Sequence, residues 1–247
     1  MKYGVIVCCL LLACITPCRA WDITIDPVDF GLITQNQFDD FVLDLGTAIS
    51  FTPMTPAKTL GLLGLDISGE LSVSDLSNSE AWKYLVEDND TFSYLTLPRV
   101  HAQKGLPFGF DVGGMLATLP DSNVQVWGLE LKKSLIDDGG VLPIPAVSVR
   151  ASYSALEGVD DIDLKTYSLD LMVSKDVLML TPYAAASYLN IEGKETSPYV
   201  TGLRDVERSD TRLLGGLQYS PFPFCITNFE VVLGDMPQYN LKVGIRF

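Results

Sequence analysis

The chain of 247 residues carries 31 Asp and Glu against 17 Lys and Arg, which gives a net charge of −14, and 47% of its residues are apolar. Such an acidic chain is a poor nucleic-acid binder, because the phosphate backbone is bound by clustered positive charge. After the first 20 residues no apolar run reaches the length of about 18 residues that a membrane-spanning helix requires. The length suits one large domain.

Residues 1–20 are predicted to be a cleaved export signal. Lys2 supplies a positive start, an apolar run extends from Tyr3 to Ile15, and Cys18-Arg19-Ala20 has the pattern of a cleavage site. The alternative is a lipoprotein signal, because Leu11-Leu12-Ala13-Cys14 resembles a lipobox, although its second Leu fits that pattern poorly. Either way, we expect the protein to be exported.

The mature chain, expected to begin at Trp21, keeps only Cys225 of the five cysteines. A single cysteine cannot build a disulfide framework, and a cysteine metal site needs several ligands. The sequence therefore predicts no disulfide, no metal site and no cofactor.

A helix is predicted near residues 35–46. Thr34-Gln-Asn-Gln37 has the residues of a capping box. Apolar residues then recur at the spacing of one helix face: Phe38, Phe41, Val42 and Leu45. A strand is expected to follow near 47–53, and the boundary between helix and strand is not sharp, because the stretch 42–51 can also be read with the alternation of a strand.

From residue 62 onward, apolar residues alternate with polar or small ones, as in β-strands with one apolar face. Before the C-terminus this pattern covers residues 63–74, 108–117, 127–132, 146–153, 167–174 and 229–233. Less regular strands are expected near 93–104, 180–191 and 211–220.

The last nine residues alternate most strictly. The apolar face consists of Tyr239, Leu241, Val243, Ile245 and Phe247. The segment resembles the closing strand of a Gram-negative outer-membrane β-barrel, in which such residues form the assembly signal. Nine residues suit a tilted membrane strand, which needs about 9–11. The alternative is an edge strand of a secreted β-sandwich.

This resemblance implies an all-β fold, an antiparallel up-and-down transmembrane β-barrel. The pattern gives ten strands from residue 62 onward and one near residue 50, and bacterial barrels have even strand numbers, so we expect 10 or 12. With ten strands, residues 21–46 form a periplasmic or plug segment ahead of a barrel at 47–247. With twelve, residues 22–33 supply a further strand.

The connections predict how the barrel is oriented. Short turns near 104–107, 137–140, 175–177 and 220–223 fall on the side of the C-terminus. Longer, more acidic connections near 77–91, 157–163 and 193–210 fall on the other side. Since outer-membrane barrels keep short turns in the periplasm, we expect the C-terminus on the periplasmic side.

Two internal stretches strengthen the resemblance. Asp111-Val-Gly-Gly114, and residues 168–175 followed by Leu180-Thr-Pro-Tyr183, resemble segments of uncharacterised proteobacterial outer-membrane proteins. The similarity extends from about Leu45 to Phe247. It implies the barrel and the compartment, carries no activity, and transfers no catalytic residue.

Ten charged residues on the polar faces of the strands are expected to point into the lumen. They are Asp66, Glu70, Asp111, Glu130, Asp170, Glu230, Lys132, Arg150, Lys242 and Arg246. These charges either form ion pairs that fill a narrow barrel or line a charged pore. Arg150 and Asp170 lie on adjacent predicted strands, so we expect them to be in contact.

His101, the single histidine, is the only candidate for histidine-dependent catalysis. Outer-membrane lipid hydrolases pair a histidine with a serine that it deprotonates. No G-x-S-x-G motif flanks a serine here, and His101 is expected to face the lumen, so no catalytic residue is predicted. The acidic runs Asp88-Asn-Asp90 and Asp160-Asp-Ile-Asp163 lack the spacing of an EF-hand and are interpreted as solvated loops.

The sequence thus predicts a non-enzymatic outer-membrane barrel, either a small-solute pore or a structural membrane component. The alternatives are a lipid-modifying enzyme that uses His101 and a surface-binding protein that acts through the loops near 77–91 and 193–210. The expected partners are outer-membrane lipid, lipopolysaccharide and the barrel assembly machinery. The oligomeric state and any transported solute are left open.

Overall fold

A computed structural model describes residues 34–76, 94–118, 124–137, 144–196 and 203–247. The predicted export signal at 1–20, the alternative strand at 22–33 and the whole connection near 77–91, which contains Asp88-Asn-Asp90, lie outside the described residues.

Ten antiparallel strands close into a barrel in which sequence neighbours pair and the last strand pairs with the first. The strands are β1 (Leu65–Asp75), β2 (Tyr94–Leu106), β3 (Phe110–Thr118), β4 (Gln125–Ile136), β5 (Ala146–Glu157), β6 (Ile162–Ser174), β7 (Leu180–Glu195), β8 (Val206–Phe222), β9 (Cys225–Leu233) and β10 (Gln238–Arg246). The predicted all-β up-and-down barrel is confirmed, and ten rather than twelve strands close it.

The alternation of the sequence decides which side chains enter the lumen. Successive residues of a strand point to opposite faces of the sheet. On β10, Asn240 and Lys242 are buried inside the barrel, whereas Leu241 between them is exposed on the outside. The other strands repeat this alternation, so the outer wall is apolar and most of the lumen is polar, whereas the inward residues near the loop end are apolar.

The two ends of the barrel differ in their connections. At one end, which we call the turn end, lie the connections 107–109, 137–145, 175–179 and 223–224, together with the start of β1 and the C-terminus. At the other, the loop end, lie 76–93, 119–124, 158–161, 196–205 and 234–237. The two longest connections between strands, 76–93 and 196–205, are thus at the loop end, although the connection 137–145 is longer than the sequence predicts.

Within the described residues, helix α1 (Gln35–Ile49) precedes the barrel. The Thr34 side chain accepts from the Gln37 backbone N–H and the Gln37 side chain accepts from the Thr34 N–H, so the predicted capping box is confirmed. The strand expected near 47–53 is wrong. The apolar face of the helix continues at Ile49, four residues after Leu45, and the helix ends only at the Ser50 cap.

A second difference concerns the start of β3. The alternation predicted a strand from residue 108, but Pro107–Gly109 form a short 3-10 turn, and Phe108 has a φ of 64° there. Proline fits the first position of such a turn because it has no N–H to pair. The strand therefore begins at Phe110. No helix within the described ranges is long and apolar enough to span a membrane.

Candidate functional site: the occupied lumen

Helix α1 lies in the mouth of the barrel at the loop end. Its apolar face belongs to one buried cluster with residues from the barrel wall, among them Leu97, Met115, Leu164 and Ile191. The helix approaches β7 closely, because a Cβ on Gly46 would lie 2.3 Å from the Ile191 Cγ2 atom. The apolar part of the lumen is thus filled by the helix.

After α1 the chain runs through the polar part of the lumen to the turn end. We call residues 34–60 the plug. The plug residues after α1 do not form a strand of the sheet. Instead, side chains from eight of the ten strands form hydrogen bonds with these residues or with the end of the helix. These side chains are Arg99, Asp111, Lys132, Arg150, Ser152, Ser154, Ser174, Arg212, Asn228, Glu230, Gln238 and Asn240.

Both backbone groups of Met54 are held by β9. Its N–H donates to Glu230 Oε2 at 3.1 Å, and its carbonyl accepts from Asn228 Nδ2 at 2.8 Å. Met54 is buried and has a φ of 41°, in the left-handed region that a residue with a side chain rarely adopts. The two hydrogen bonds fix this unusual conformation and so fix the path of the plug.

The end of the plug is fixed in the same way. Lys132 Nζ donates to the carbonyls of Pro56 and Lys58 at 3.2 and 3.3 Å. The Leu60 N–H donates to the Asp111 carboxylate at 3.1 and 3.2 Å. Because Lys132 and Asp111 are themselves paired at 3.1 Å, one buried ion pair on β3 and β4 binds three backbone groups of the plug.

A chain of buried contacts between charged side chains and the His101 imidazole extends along the lumen wall from β1 to β6, at the level of residue 51. We call it the charge belt; its members, in order, are Arg99, Glu70, His101, Glu130, Arg150 and Asp170. Arg99 and Glu70 are 2.6 Å apart, Glu70 and His101 2.8 Å, and His101 and Glu130 3.0 Å. Arg150 then contacts Glu130 and lies 2.6 Å from Asp170. Every side chain of the belt is buried, so each charge depends on its neighbours rather than on water.

A second group of charges lies nearer the turn end. Lys242 Nζ is 3.3 Å from Asp66 and 3.7 Å from Glu70, and Arg246 is 2.8 Å from Asp66. Asp66 and Arg246, like Glu70 and Lys242, are direct cross-strand partners on β1 and β10. These pairs join the first and last strands, so they also support closure of the barrel.

Phe51 of the plug occupies the centre of the charge belt. Its ring lies edge-on to the His101 ring, with centroids 5.1 Å apart. The guanidinium carbons of Arg150 and Arg99 lie 4.8 and 5.8 Å from the Phe51 centroid. The Phe51 carbonyl accepts from Arg150 Nη2 at 2.7 Å and from the Ser152 hydroxyl at 3.2 Å. One plug residue thus contacts cations, an imidazole and the wall of the barrel.

The ten charged residues expected in the lumen all lie on the inward faces of their strands. Nine are buried, and Arg246 is partly exposed at the turn end. The predicted contact between Arg150 and Asp170 is confirmed, and the two are cross-strand partners. Glu230, like Asp111, accepts from a backbone N–H of the plug, that of Met54, and it also accepts from Asn240 at 3.1 Å.

Two buried arginines were missed from the sequence. Arg99 anchors the charge belt, and Arg212 donates to the hydroxyl of Ser50 at 2.8 Å. Both lie on strands whose alternation is irregular. The position of Arg99 could have been predicted from its spacing. Arg99 is two residues before His101, which is expected to face the lumen, and residues two apart on a strand share a face.

His101 is held between two carboxylates. Nδ1 faces Glu70 and Nε2 faces Glu130, and the ring is buried. Among the described residues, neither ring nitrogen hydrogen-bonds a serine hydroxyl. Over the ranges that the structure covers, no group of three or more His, Cys, Asp or Glu residues has an arrangement that could hold a metal ion.

Solved structures similar to this chain include three barrels. The N-terminal β-barrel domain of Pseudomonas aeruginosa OprF is 14% identical, with a TM-score of 0.37, over 76% of this chain and 99% of that one. The KdgM porin is 12% identical, with a TM-score of 0.37, over 74% and 99%. Ail of Yersinia pestis, solved with the heparin analogue sucrose octasulfate, is 12% identical, with a TM-score of 0.29, over 74% and 97%. Likeness at this level transfers no ligand and no activity.

A search of curated proteins gave no match. A protein-family model, described as a family of unknown function, DUF6588, matches residues 66–211, which is more than half of the chain. The match extends from β1 into β8 and includes the whole charge belt. The chain therefore belongs to this family of unknown function.

Proposed function

We propose that the protein is a non-enzymatic component of the Gram-negative outer membrane whose lumen is closed by its own N-terminal segment. It acts as a structural membrane protein rather than as an open pore for small solutes. The observation that carries this proposal is the plug, which is bound by side chains of eight strands along the length of the lumen.

The outer wall supports a place in a membrane. Large apolar side chains more than half exposed project from six different strands: Val100, Leu116, Leu129, Leu169, Leu213 and Phe229. Soluble proteins rarely expose apolar patches larger than a few hundred Å², and here the apolar surface surrounds the barrel. An apolar wall of this kind is stable in contact with lipid. Because the barrel is closed, it exposes no unpaired strand edge to the hydrocarbon core of the membrane.

Aromatic residues at both ends of the wall support the same location. Near the loop end Trp127, Tyr153 and Tyr167 lie side by side, with adjacent ring centroids 5.2 Å apart. At the turn end Phe224 and Phe247 lie 5.6 Å apart. Membrane barrels carry such rings of aromatic residues at the two membrane–water interfaces.

The C-terminal strand supports assembly by the barrel assembly machinery. The five residues of the predicted assembly signal face outward from β10 or follow it, where another protein can contact them before the barrel closes. Phe247 is hydrogen-bonded to Leu65 of β1 in both directions, at 2.8 and 3.0 Å. We propose outer-membrane lipid, including lipopolysaccharide, as the other partner, through the apolar wall.

The environment of His101 supports a non-enzymatic role. A lipid hydrolase needs an imidazole that can reach a serine and a substrate at the lipid-facing wall. His101 instead faces the lumen, and both of its nitrogens contact carboxylates. The charge belt therefore suits a structural role, in which buried charges hold the plug.

The experiment is single-channel recording from the refolded mature chain in a planar bilayer. Insertion is verified by the change in gel mobility on heating. We expect no discrete conductance steps from the wild type. The variant Phe38→Asp/Phe41→Asp places two charges in the apolar mouth, so it should displace the helix and produce steps. The matched control is Asn36→Asp, which adds a charge on the exposed side of the same helix.

A second variant, deletion of residues 35–56, removes most of the plug and tests the same point by another route. Reproducible steps from the inserted wild-type protein, equal to those of the deletion variant, would refute a closed lumen and favour the small-solute pore. If a variant does not fold, its mobility on heating reports this, and the wild-type recording still decides.

A further inference from the structure

The plug runs through the barrel from the loop end to the turn end. The first described residue and the C-terminus therefore lie on opposite sides of the barrel. Gln35 contacts Arg204 in the connection between β7 and β8, and Asp39 pairs with Arg208 at 2.5 Å. Both arginines lie at the loop end. The start of α1 is therefore at the loop end, whereas β1 and the C-terminus begin and end at the turn end.

The chain between these points passes through the lumen only once. Ser50 contacts Arg212 and Arg99, Met54 contacts β9, and Leu60 contacts Asp111 at the start of β3. Each contact lies closer to the turn end than the one before. Lys58 also pairs at 2.5 Å with Asp176, in a turn between β6 and β7.

We propose that the amino-terminal end of the plug is exposed at the cell surface, so that the mature chain crosses the outer membrane through its own lumen. This rests on the proposed function, because it takes the turn end as periplasmic. The opposite placement of the two ends rests on the fold alone.

The consequence is that the start of α1 is accessible from outside the cell. Thr34 and Asn36 are exposed there, and Gln35 between them hydrogen-bonds the Arg204 backbone in the β7–β8 connection.

Cysteine accessibility in intact cells tests the proposal. The background is Cys225→Ser, which removes the cysteine that remains after signal cleavage. Three variants are compared: Asn36→Cys at the start of α1, Asp160→Cys in the β5–β6 connection at the loop end, and Leu178→Cys, which is fully exposed at the turn end. Each is treated with a membrane-impermeant maleimide before and after permeabilisation, and folding is checked by gel mobility on heating.

We expect Asn36→Cys and Asp160→Cys to be labelled in intact cells and Leu178→Cys only after permeabilisation. Labelling of Asp160→Cys together with protection of Asn36→Cys would overturn the proposal while leaving the proposed orientation intact. Protection of Asp160→Cys with labelling of Leu178→Cys would overturn the orientation and the surface exposure together.

Discussion

Phe51 gives the sharpest test of how the plug is held. The substitution Phe51→Ala removes a buried ring but keeps the backbone carbonyl that Arg150 and Ser152 bind. Burying a phenylalanine in a packed core is worth about 3–5 kcal/mol relative to alanine, because the lost apolar contacts leave a cavity. We expect the free energy of unfolding to fall by that amount.

Phe51→Leu separates packing from the interactions of the aromatic ring. Leucine keeps most of the apolar contact, but it loses the edge-on contact with His101 and the two guanidinium groups over the ring. An aromatic pair is worth about 0.5–1.5 kcal/mol, and a cation over a ring about 0.5–2 kcal/mol. Because these contacts share one ring, their contributions do not add in full, and we expect Phe51→Leu to lose about 1–3 kcal/mol, less than Phe51→Ala.

The assay is a urea titration of the protein in lipid vesicles, followed by the fluorescence of tryptophan. If Phe51→Ala and Phe51→Leu both unfold within about 0.5 kcal/mol of the wild type, the range of ordinary surface substitutions, then Phe51 does not occupy the charge belt. Equal losses for the two variants would show that the ring's contacts with His101 and the two arginines, rather than packing, hold the residue, whereas a loss in Phe51→Ala alone would show that packing is sufficient.

Three further substitutions test other parts of the structure in the same titration. Arg150→Met leaves two buried carboxylates without their shared cation, and we expect a loss of about 3–5 kcal/mol; a loss below about 1 kcal/mol would mean that the belt is hydrated. Gly46→Ala should destabilise by about 1–3 kcal/mol, because the added methyl group meets the barrel wall, although alanine favours a helix. The control is Gly215→Ala, which should be neutral because the added methyl group at Gly215 meets open space. Stabilisation by Gly46→Ala would refute the close packing of the helix against the barrel wall. Leu241→Arg, in the middle of β10, should lower the free energy of unfolding in a bilayer by about 2–4 kcal/mol. Tyr239→Arg, near the membrane interface, should lower it by at most about 1 kcal/mol beyond the effect of losing the ring. Equal losses for the two variants would contradict a wall embedded in lipid.

The barrel was predictable because its signal is local. On β10 each residue's place on the inner or outer face follows from the alternation of Tyr239 to Phe247, and the same is true of β1. The contact between Arg150 and Asp170 followed from this, because two lumen residues on neighbouring strands at similar heights become cross-strand partners.

The path of the plug was not predictable, because it depends on contacts between residues far apart in the sequence. Nothing in the stretch 50–60 indicates that Met54 will bind Asn228 and Glu230. A stretch that forms no strand and no helix is ordinarily read as a loop, and its pairing with lumen side chains appears only when the barrel is closed. The strand expected near 47–53 was wrong for the same reason, since burial in the mouth of the barrel extends the helix.

The most direct test of the account is a nuclear magnetic resonance measurement of the contact between Phe51 and His101 in folded protein in lipid nanodiscs. His101 is the single histidine, so labelling histidine alone yields one imidazole signal that needs no further assignment. With the ring centroids 5.1 Å apart, the account predicts a nuclear Overhauser effect between the two rings that disappears in Phe51→Leu. An imidazole that shows no contact with Phe51 and exchanges freely with water would contradict a lumen closed by the plug.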